Sequence, residues 1–135
     1  MRNYDDVGKL ILRVSVGVFI LIHGVSKITA PAQLDFIGEL FIGIGLPAFL
    51  AYLVYVGEVV APLMMIVGWR TKIAAGLVTA TMVVVILLGH SAEIFPLSNF
   101  VWWGIELQTA FLTSALAATF LGAGRYAISS SHKWD

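Results

Sequence analysis

The chain has 135 residues, of which 59% are hydrophobic and only 12% charged, whereas an ordinary soluble domain is about 25% charged. Eight basic and eight acidic side chains cancel to a net charge of zero, which excludes a nucleic-acid-binding protein that works by neutralising many phosphates. The lack of cysteine excludes disulfides, thiolate metal sites and a thiol relay within this chain. Length and composition therefore predict a single domain, residues 1–135, that is solvated by membrane lipid.

Four runs of sequence are long and apolar enough to cross a ~30 Å hydrocarbon core, which needs about 20 mostly apolar residues per helix. The runs cover residues 7–28, 46–68, 73–89 and 100–123. Barrel strands would instead show strict alternation over about 10 residues, and no such alternation is visible. The sequence therefore predicts an all-α integral membrane four-helix bundle. A secretory signal peptide is the alternative for the first run, because Ala30-Pro31-Ala32 resembles a cleavage site.

The segment between the first two runs predicts a short amphipathic helix on the membrane surface. Its polar face carries Asp35 and Glu39. The opposite face carries three apolar residues at helical spacing, which are Phe36, Leu40 and Ile44.

The basic residues outside the four runs predict the orientation of the chain, because Lys and Arg collect on the cytoplasmic side of a membrane. Lys27 lies on one side of an even-numbered bundle, and all the others lie on the opposite side. Both termini are therefore expected in the cytoplasm, and the polar residues 129–135 are expected to form a frayed cytoplasmic end. The basic residues of that side are Arg2, Lys9, Arg70, Lys72, Arg125 and Lys133.

Polar side chains inside the runs are the candidate functional residues. A charge near the bilayer centre costs at least about 2.5–3.5 kcal/mol, so such residues are expected to pair, to face the interior or to line a wet cavity. Most of them fall in the outer half, and Glu58 lies about 11 residues, or ~17 Å, below the outer start of its span. We therefore expect an outward-facing pocket that contains His23, Lys27, Glu58, Glu106 and His90.

The partner of Lys27 stays open at this stage between three carboxylates, those of Glu58, Glu93 and Glu106. Lys27 and Glu93 have the alternative of snorkelling to the interface, and Glu58 has the alternative of holding helices together. Neither tight ligand spacing nor a metal-binding motif is present, so no metal site is predicted.

A second set of residues is assigned structural roles. Arg13 is expected to snorkel to the cytoplasmic surface. Pro62 would clash with the carbonyl group of Glu58 in a regular helix, which predicts a kink there. Gly24, seven residues after Gly17, permits a close helix contact. The full set is Arg13, Gly24, Pro62, Glu93 and Gln108.

The order of several motifs resembles the DoxX family of small bacterial membrane proteins. Arg13 followed by His23-Gly24-Val25-Ser26-Lys27 resembles the R…hGxxK signature of that family's first helix. Further similar stretches are Gly45-Leu46-Pro47, Gly57-Glu58, Gly68-Trp69-Arg70, Asn99-Phe100 with Glu106, and Gly122-Ala123-Gly124-Arg125-Tyr126.

The resemblance implies a four-helix protein of the bacterial cytoplasmic membrane. Relatives include a subunit of a thiosulfate:quinone oxidoreductase and proteins linked to oxidative stress. A thiol-based member is not expected, because this chain has no cysteine. The matching polar positions are Arg13, His23, Gly24, Lys27 and Glu58.

The leading hypothesis is an inner-membrane component of a redox or stress-response system, which contacts lipid and a protein partner. Its pocket would bind a quinone-like or other small amphipathic ligand. One alternative is a non-catalytic membrane assembly or lipid-binding module, and another is a proton or ion pathway. Catalysis, as an oxidoreductase subunit, and a homo-oligomeric state stay open.

Overall fold

The computed structural model describes residues 2–90 and 104–135, and every regular element in these ranges is helical. Helix α1 spans Arg2–Thr29 and α2 spans Pro31–Gly43. Helix α3 runs over Ala48–Val67, α4 over Thr71–Gly89 and α5 over Glu106–Leu121. The predicted all-α fold class is therefore confirmed.

Three of these helices are long and apolar enough to cross a membrane: α1 over Asn3–Thr29, α3 and α4. They correspond to the first three predicted spans. The fourth predicted span, residues 100–123, begins outside the described residues. Helix α5 covers 16 residues of it and packs against α1 and α4.

Helix α3 is irregular around Glu58. It begins with a 3-10 segment, Ala48–Tyr52, and contains a π-helical turn, Val56–Val60, before an α-helical part that includes Pro62. Proline has no N–H to donate to the carbonyl four residues earlier, and its ring would clash with that carbonyl in a regular α-helix. The distortion predicted at Glu58 therefore takes the form of a widened π turn, a feature that is frequent at functional sites.

Two glycines of α1 lie directly against α3. A Cβ on Gly17 would lie 2.9 Å from the backbone oxygen of Pro62, and a Cβ on Gly24 would lie 2.2 Å from that of Glu58. Neither distance leaves room for a side chain, so the two helices pack backbone to backbone, as the glycine spacing predicts.

Helix α2 packs on α3 through a face for which the sequence made no prediction. Leu34 is buried in a small cluster with Ala51 and Val54 of α3. Phe36, in contrast, is 57% exposed. The contact with the start of α3 therefore selects the face of α2 that is buried within the protein. The position of the apolar face of α2, which carries Phe36, on a membrane surface stays a prediction.

Arg13 does not snorkel, which corrects the sequence-based expectation. Its side chain is 2% exposed and donates hydrogen bonds to backbone oxygens of Met65 at 2.7 Å, Ile66 at 2.5 Å, Ala123 at 3.2 Å and Tyr126. These carbonyls belong to the end of α3 and to the segment after α5. The partial negative charge of a helix C-terminus favours a cation there.

The tail expected to be frayed is also folded. The N–H groups of Ile128 and Ser129 donate to the carbonyls of Val67 and Gly68 at 3.2 Å and 3.1 Å. The side chain of Asp135 is buried, accepts hydrogen bonds from the Ser129 hydroxyl and from backbone N–H groups, and pairs with Arg70. The expectation was wrong because a polar tail can satisfy its hydrogen bonds against a helix end as well as against water.

Candidate functional site

An ion pair between α1 and α3 is the centre of the candidate site. The Nζ of Lys27, in the last turn of α1, donates a hydrogen bond to Oε2 of Glu58 in the π-helical turn of α3. The Glu58 side chain is 2% exposed, whereas that of Lys27 is 15% exposed. The carboxylate is thus removed from solvent but has its counter-charge in contact, which is the condition under which a buried charge is stable.

The backbone around this pair fixes its position. The close approach of Gly24 to the Glu58 carbonyl brings α1 and α3 together one turn before Lys27. The Tyr55 hydroxyl donates to the backbone oxygen of Lys27 at 3.4 Å, which adds a second link between the same helices. Lys27 therefore pairs inside the molecule, and the snorkelling alternative does not describe it.

A cavity of about 840 Å³ adjoins the ion pair. Its volume falls within the range of about 300–1,000 Å³ that is typical of small-molecule sites. Helix α2 contributes Phe36 and Leu40 to the wall, and most of the remaining lining is apolar. The polar lining residues include His23, Lys27, Glu58, His90 and Gln108.

Two histidines extend the polar lining away from the ion pair. The imidazole of His23 meets the ring of Phe111 edge-on, with ring centroids 5.7 Å apart and an interplanar angle of 74°. One turn before Phe111, the Nε2 of Gln108 lies 3.1 Å from the Nε2 of His90. His23 and Lys27 are four residues apart and therefore share one face of α1, and these two residues, Glu58, Gln108 and His90 all line the same cavity.

The structure brings together most, but not all, of the predicted site residues. His23, Lys27, Glu58 and His90 line the cavity, and so does Gln108, for which the sequence indicates only a structural role. Glu106 is exposed and does not belong to the described lining. Glu93 lies outside the described residues.

Tyr55 and Phe111 were missed by sequence reasoning. Phe111 follows Gln108 by three residues, and Tyr55 precedes Glu58 by three, so each shares a helix face with a predicted polar residue. Helical spacing could therefore have identified both. It could not have indicated that Phe111 contacts His23, because the two residues lie on different helices.

The wall offers hydrogen-bond donors and acceptors to a bound molecule. The Lys27 ammonium donates, the Glu58 carboxylate accepts, and an imidazole does either, according to its tautomer. Within residues 2–90 and 104–135, no group of three or more His, Asp or Glu side chains is arranged to hold a metal ion. The described part of the site therefore consists of hydrogen-bonding side chains beside a largely apolar cavity.

Membrane-length helices that enclose a charged pair define an integral membrane protein of the helical class. The chain belongs to the DoxX family, whose model matches residues 8–91. The matched range includes the Lys27–Glu58 pair and His90, whereas Gln108 and Phe111 lie beyond it.

A curated relative is also similar to part of the chain. It is the Bacillus subtilis (strain 168) protein named "Putative oxidoreductase CatD", which is 31% identical over 84 residues. Those residues are 62% of this chain and 60% of the relative, so the chain spans about three-fifths of the relative's length. No solved structure matches the chain.

Proposed function

We propose that this protein is the membrane-embedded component of a redox or oxidative-stress system and binds a quinone-like head group in the cavity. The observation that carries the proposal is the Lys27–Glu58 ion pair, which lies at the wall of an otherwise largely apolar cavity of about 840 Å³. The similarity to a relative named as an oxidoreductase supports the redox assignment.

The polar wall suits the chemistry of a quinone. The Lys27 ammonium can donate a hydrogen bond to a quinone carbonyl oxygen, and this bond strengthens as negative charge develops on that oxygen during reduction. Reduction to the quinol consumes two electrons and two protons. Glu58 and the imidazoles of His23 and His90 are side chains that can relay those protons. The chain has no thiol, so this proposal needs an electron source other than cysteine, which is a bound cofactor or a protein partner.

The proposed setting is the bacterial cytoplasmic membrane, with four spans and both termini in the cytoplasm. The distribution of basic residues supports this orientation. The contacts of α5 with α1 and α4 support its role as the fourth span. Helix α2 would then lie at the outer membrane surface and cover the cavity.

Quinone binding to the purified protein in lipid nanodiscs tests the proposal. We expect saturable binding to the wild type and an affinity about tenfold or more lower for Glu58→Gln, because an amide cannot hold the Lys27 ammonium as a carboxylate does. The Glu106→Gln variant is the matched control, since Glu106 is exposed outside the cavity lining. Circular dichroism must show equal helicity for all three proteins. A wild type that binds no quinone at any loading contradicts the proposal.

A second candidate is a non-catalytic assembly or lipid-binding module, which is favoured by the position of the ion pair between two helices. In that case Glu58→Gln lowers thermal stability or recovery of the partner, but leaves electron flux through the assembled system unchanged. A proton or ion pathway is less well supported. The cation Arg13 and an apolar cluster that includes Ile20 and Met65 separate the ion pair from the opposite end of the molecule.

A further inference from the structure

We infer that the protein has a second binding site, at the opposite end of α1 from the Lys27–Glu58 pair, and that this site binds a phosphate monoester group. The site, here named the terminal pocket, is a cavity of about 260 Å³ between the start of α1, the segment after α5 and the tail, residues 129–135. Lys9, which lines it, lies 18 residues before Lys27 on α1, or about 27 Å at 1.5 Å per residue. The inference therefore goes beyond the proposed function and does not depend on it.

One wall of the terminal pocket forms where the segment after α5 packs on α1. A Cβ on Gly124 would lie 3.2 Å from the Cβ of Lys9, and the N–H of Arg125 donates to Oδ1 of Asp6 at 3.1 Å. Gly124 has a φ of 72°, a conformation that glycine adopts without strain, so the chain can turn at this point. The segment thus places Lys9, Asp6 and Arg125 around one cavity.

The tail forms the other wall. A Cβ on Gly122 would lie 2.6 Å from the backbone oxygen of Asp135, so the tail is in contact with the end of α5. The backbone oxygen of Trp134 accepts a hydrogen bond from the N–H of Lys72 at 3.1 Å, which ties the tail to α4 as well. Ser130 and Asp135 line the pocket from this side. Backbone contacts therefore hold both walls in place.

The two carboxylates of the terminal pocket already have hydrogen-bond donors. Both Asp6 and Asp135 are buried. Asp6 accepts from the Arg125 N–H, whereas Asp135 accepts at Oδ1 from the N–H of Arg70 at 3.3 Å and at Oδ2 from the Ser129 hydroxyl at 2.5 Å. Asp135 also pairs with the Arg70 guanidinium. These carboxylates therefore stabilise the fold, and a bound cation would have to displace donors that are already in place.

The two cations of the terminal pocket, in contrast, have no partner in the protein. Within residues 2–90 and 104–135, the side chains of Lys9 and Arg125 donate no hydrogen bond and form no ion pair. Lys9 is half-buried, and Arg125 is exposed at the rim. The Ser130 hydroxyl likewise has no hydrogen-bond partner among the described residues. The unused polar groups of the pocket are thus two cations and a hydroxyl, and all three can donate.

A phosphate monoester fits these donors. It presents three strong acceptor oxygens, whereas a carboxylate presents two. A guanidinium matches phosphate oxygens with its planar fork, and an ammonium binds them as a point charge. With Arg70 counted, three cations and two carboxylates leave one positive charge at the pocket. The volume lies below the range of about 300–1,000 Å³ that is typical of small-molecule sites, which favours a small polar group.

The phosphate monoester can belong to a lipid head group or to a soluble compound. Basic pockets at the cytoplasmic ends of membrane helices bind acidic lipid head groups, and this end is cytoplasmic in the proposed orientation. Leu121, which also lines the pocket, is 49% exposed and offers hydrocarbon contact to an acyl chain. A soluble phosphate would use the same donors without that contact, so the two sources can be separated by experiment.

Phosphorus NMR titrations of the protein in a maltoside detergent, which contains no phosphate, test the inference. The two probes are sn-glycerol 3-phosphate and a short-chain phosphatidic acid, which has the same phosphate monoester and carries acyl chains. Low ionic strength keeps the charges of partly exposed side chains unscreened. The variants are Lys9→Gln and Arg125→Gln. Lys133→Gln is the matched control, because it removes the same charge from the tail but lies outside the pocket lining.

We expect saturable binding of one phosphate monoester per protein, weakened about tenfold or more by Lys9→Gln and by Arg125→Gln and unchanged in Lys133→Gln. Both pocket variants should unfold at the temperature of the wild type, because neither side chain has a partner in the described structure. Binding of glycerol phosphate supports a soluble source, and binding of phosphatidic acid alone supports a lipid. Both results support the site.

Three results would overturn the inference. The first is a wild type that binds neither probe saturably. The second is binding that persists in Lys9→Gln or in Arg125→Gln. The third is equal weakening by Lys9→Gln and Lys133→Gln, which would show that the probe responds to the overall charge of this end of the molecule. None of these results depends on whether a quinone binds beside Lys27, so the two proposals fail independently.

Discussion

Lys27 and Glu58 form their ion pair at the place where the backbones of α1 and α3 are in contact through Gly24. The same pair forms part of the cavity wall. One interaction therefore links two helices and supplies the charged groups of the candidate site, and its two roles can be separated by mutation.

Removing one member of the pair should cost more than removing both. Lys27→Met leaves the buried Glu58 carboxylate without its counter-charge, and we expect a loss of about 3–5 kcal/mol in the free energy of unfolding. The double variant Lys27→Met/Glu58→Met should recover most of this loss. Reversible unfolding in detergent of the wild type, Lys27→Met, Glu58→Met and the double variant measures the coupling free energy between the two side chains. Additive losses would show that the pair contributes nothing to stability.

Gly24 should tolerate no side chain. In Gly24→Ala the new Cβ would meet the Glu58 backbone oxygen, so α1 and α3 must move apart, at a cost of about 1–3 kcal/mol. Gly8→Ala is the control on the same helix, because nothing lies within 4 Å of its added Cβ. That change should be neutral or stabilise the helix by about 0.5–1 kcal/mol. Thermal unfolding compares the two, and equal effects would contradict the close contact.

Arg13→Lys should behave as a disruptive change. The guanidinium bonds carbonyls of two chain segments at once, and a lysine ammonium cannot reproduce this fork geometry. We expect a loss of about 2 kcal/mol or more, since hydrogen bonds to charged groups contribute about 1.5–3 kcal/mol each. Arg125→Lys, at an exposed side chain, is the control and should change little. A stable Arg13→Lys protein would mean that the carbonyl contacts are dispensable.

The folded tail should open in acid. The Ser129 hydroxyl holds the pKa of Asp135 below its ordinary value of about 3.9, together with backbone N–H groups of His132 and Arg70 and the Arg70 charge. Because the pKa is lowered in the folded state, this stabilisation is complete above the ordinary value and is lost as the pH falls through the lowered one.

A nitroxide label attached through Ser130→Cys reports the mobility of the tail, since the chain has no other cysteine. We expect a restricted spectrum above about pH 4 and a mobile one in stronger acid. Asp135→Asn should be mobile throughout, whereas Asp5→Asn, at an exposed aspartate, should follow the parent protein. A label that stays restricted in Asp135→Asn would contradict the role of this carboxylate.

The positions of the membrane-length helices could be predicted from the sequence because each such helix satisfies its own backbone hydrogen bonds. An uninterrupted apolar run is therefore sufficient to locate it. The same local reasoning applied to Pro62, whose effect on the carbonyl of Glu58 depends only on residues four apart. The glycine spacing of α1 was informative for a similar reason. Glycines seven residues apart lie on one face of a helix, where they permit close contact with a neighbouring helix.

Which partner each polar side chain takes was decided by the tertiary structure. Three carboxylates could have neutralised Lys27, and the packing of Gly24 against α3 brought Glu58 into reach. Arg13 had a route to water along its own helix, yet the end of α3 and the segment after α5 offered it carbonyls.

The sequence by itself determined that this chain folds as helices in lipid and which residues would be costly there, because both follow from local composition. The cavity and the buried face of α2 came only from the tertiary structure. They depend on how helices distant in sequence approach each other, and that approach is set by packing contacts which no single segment contains.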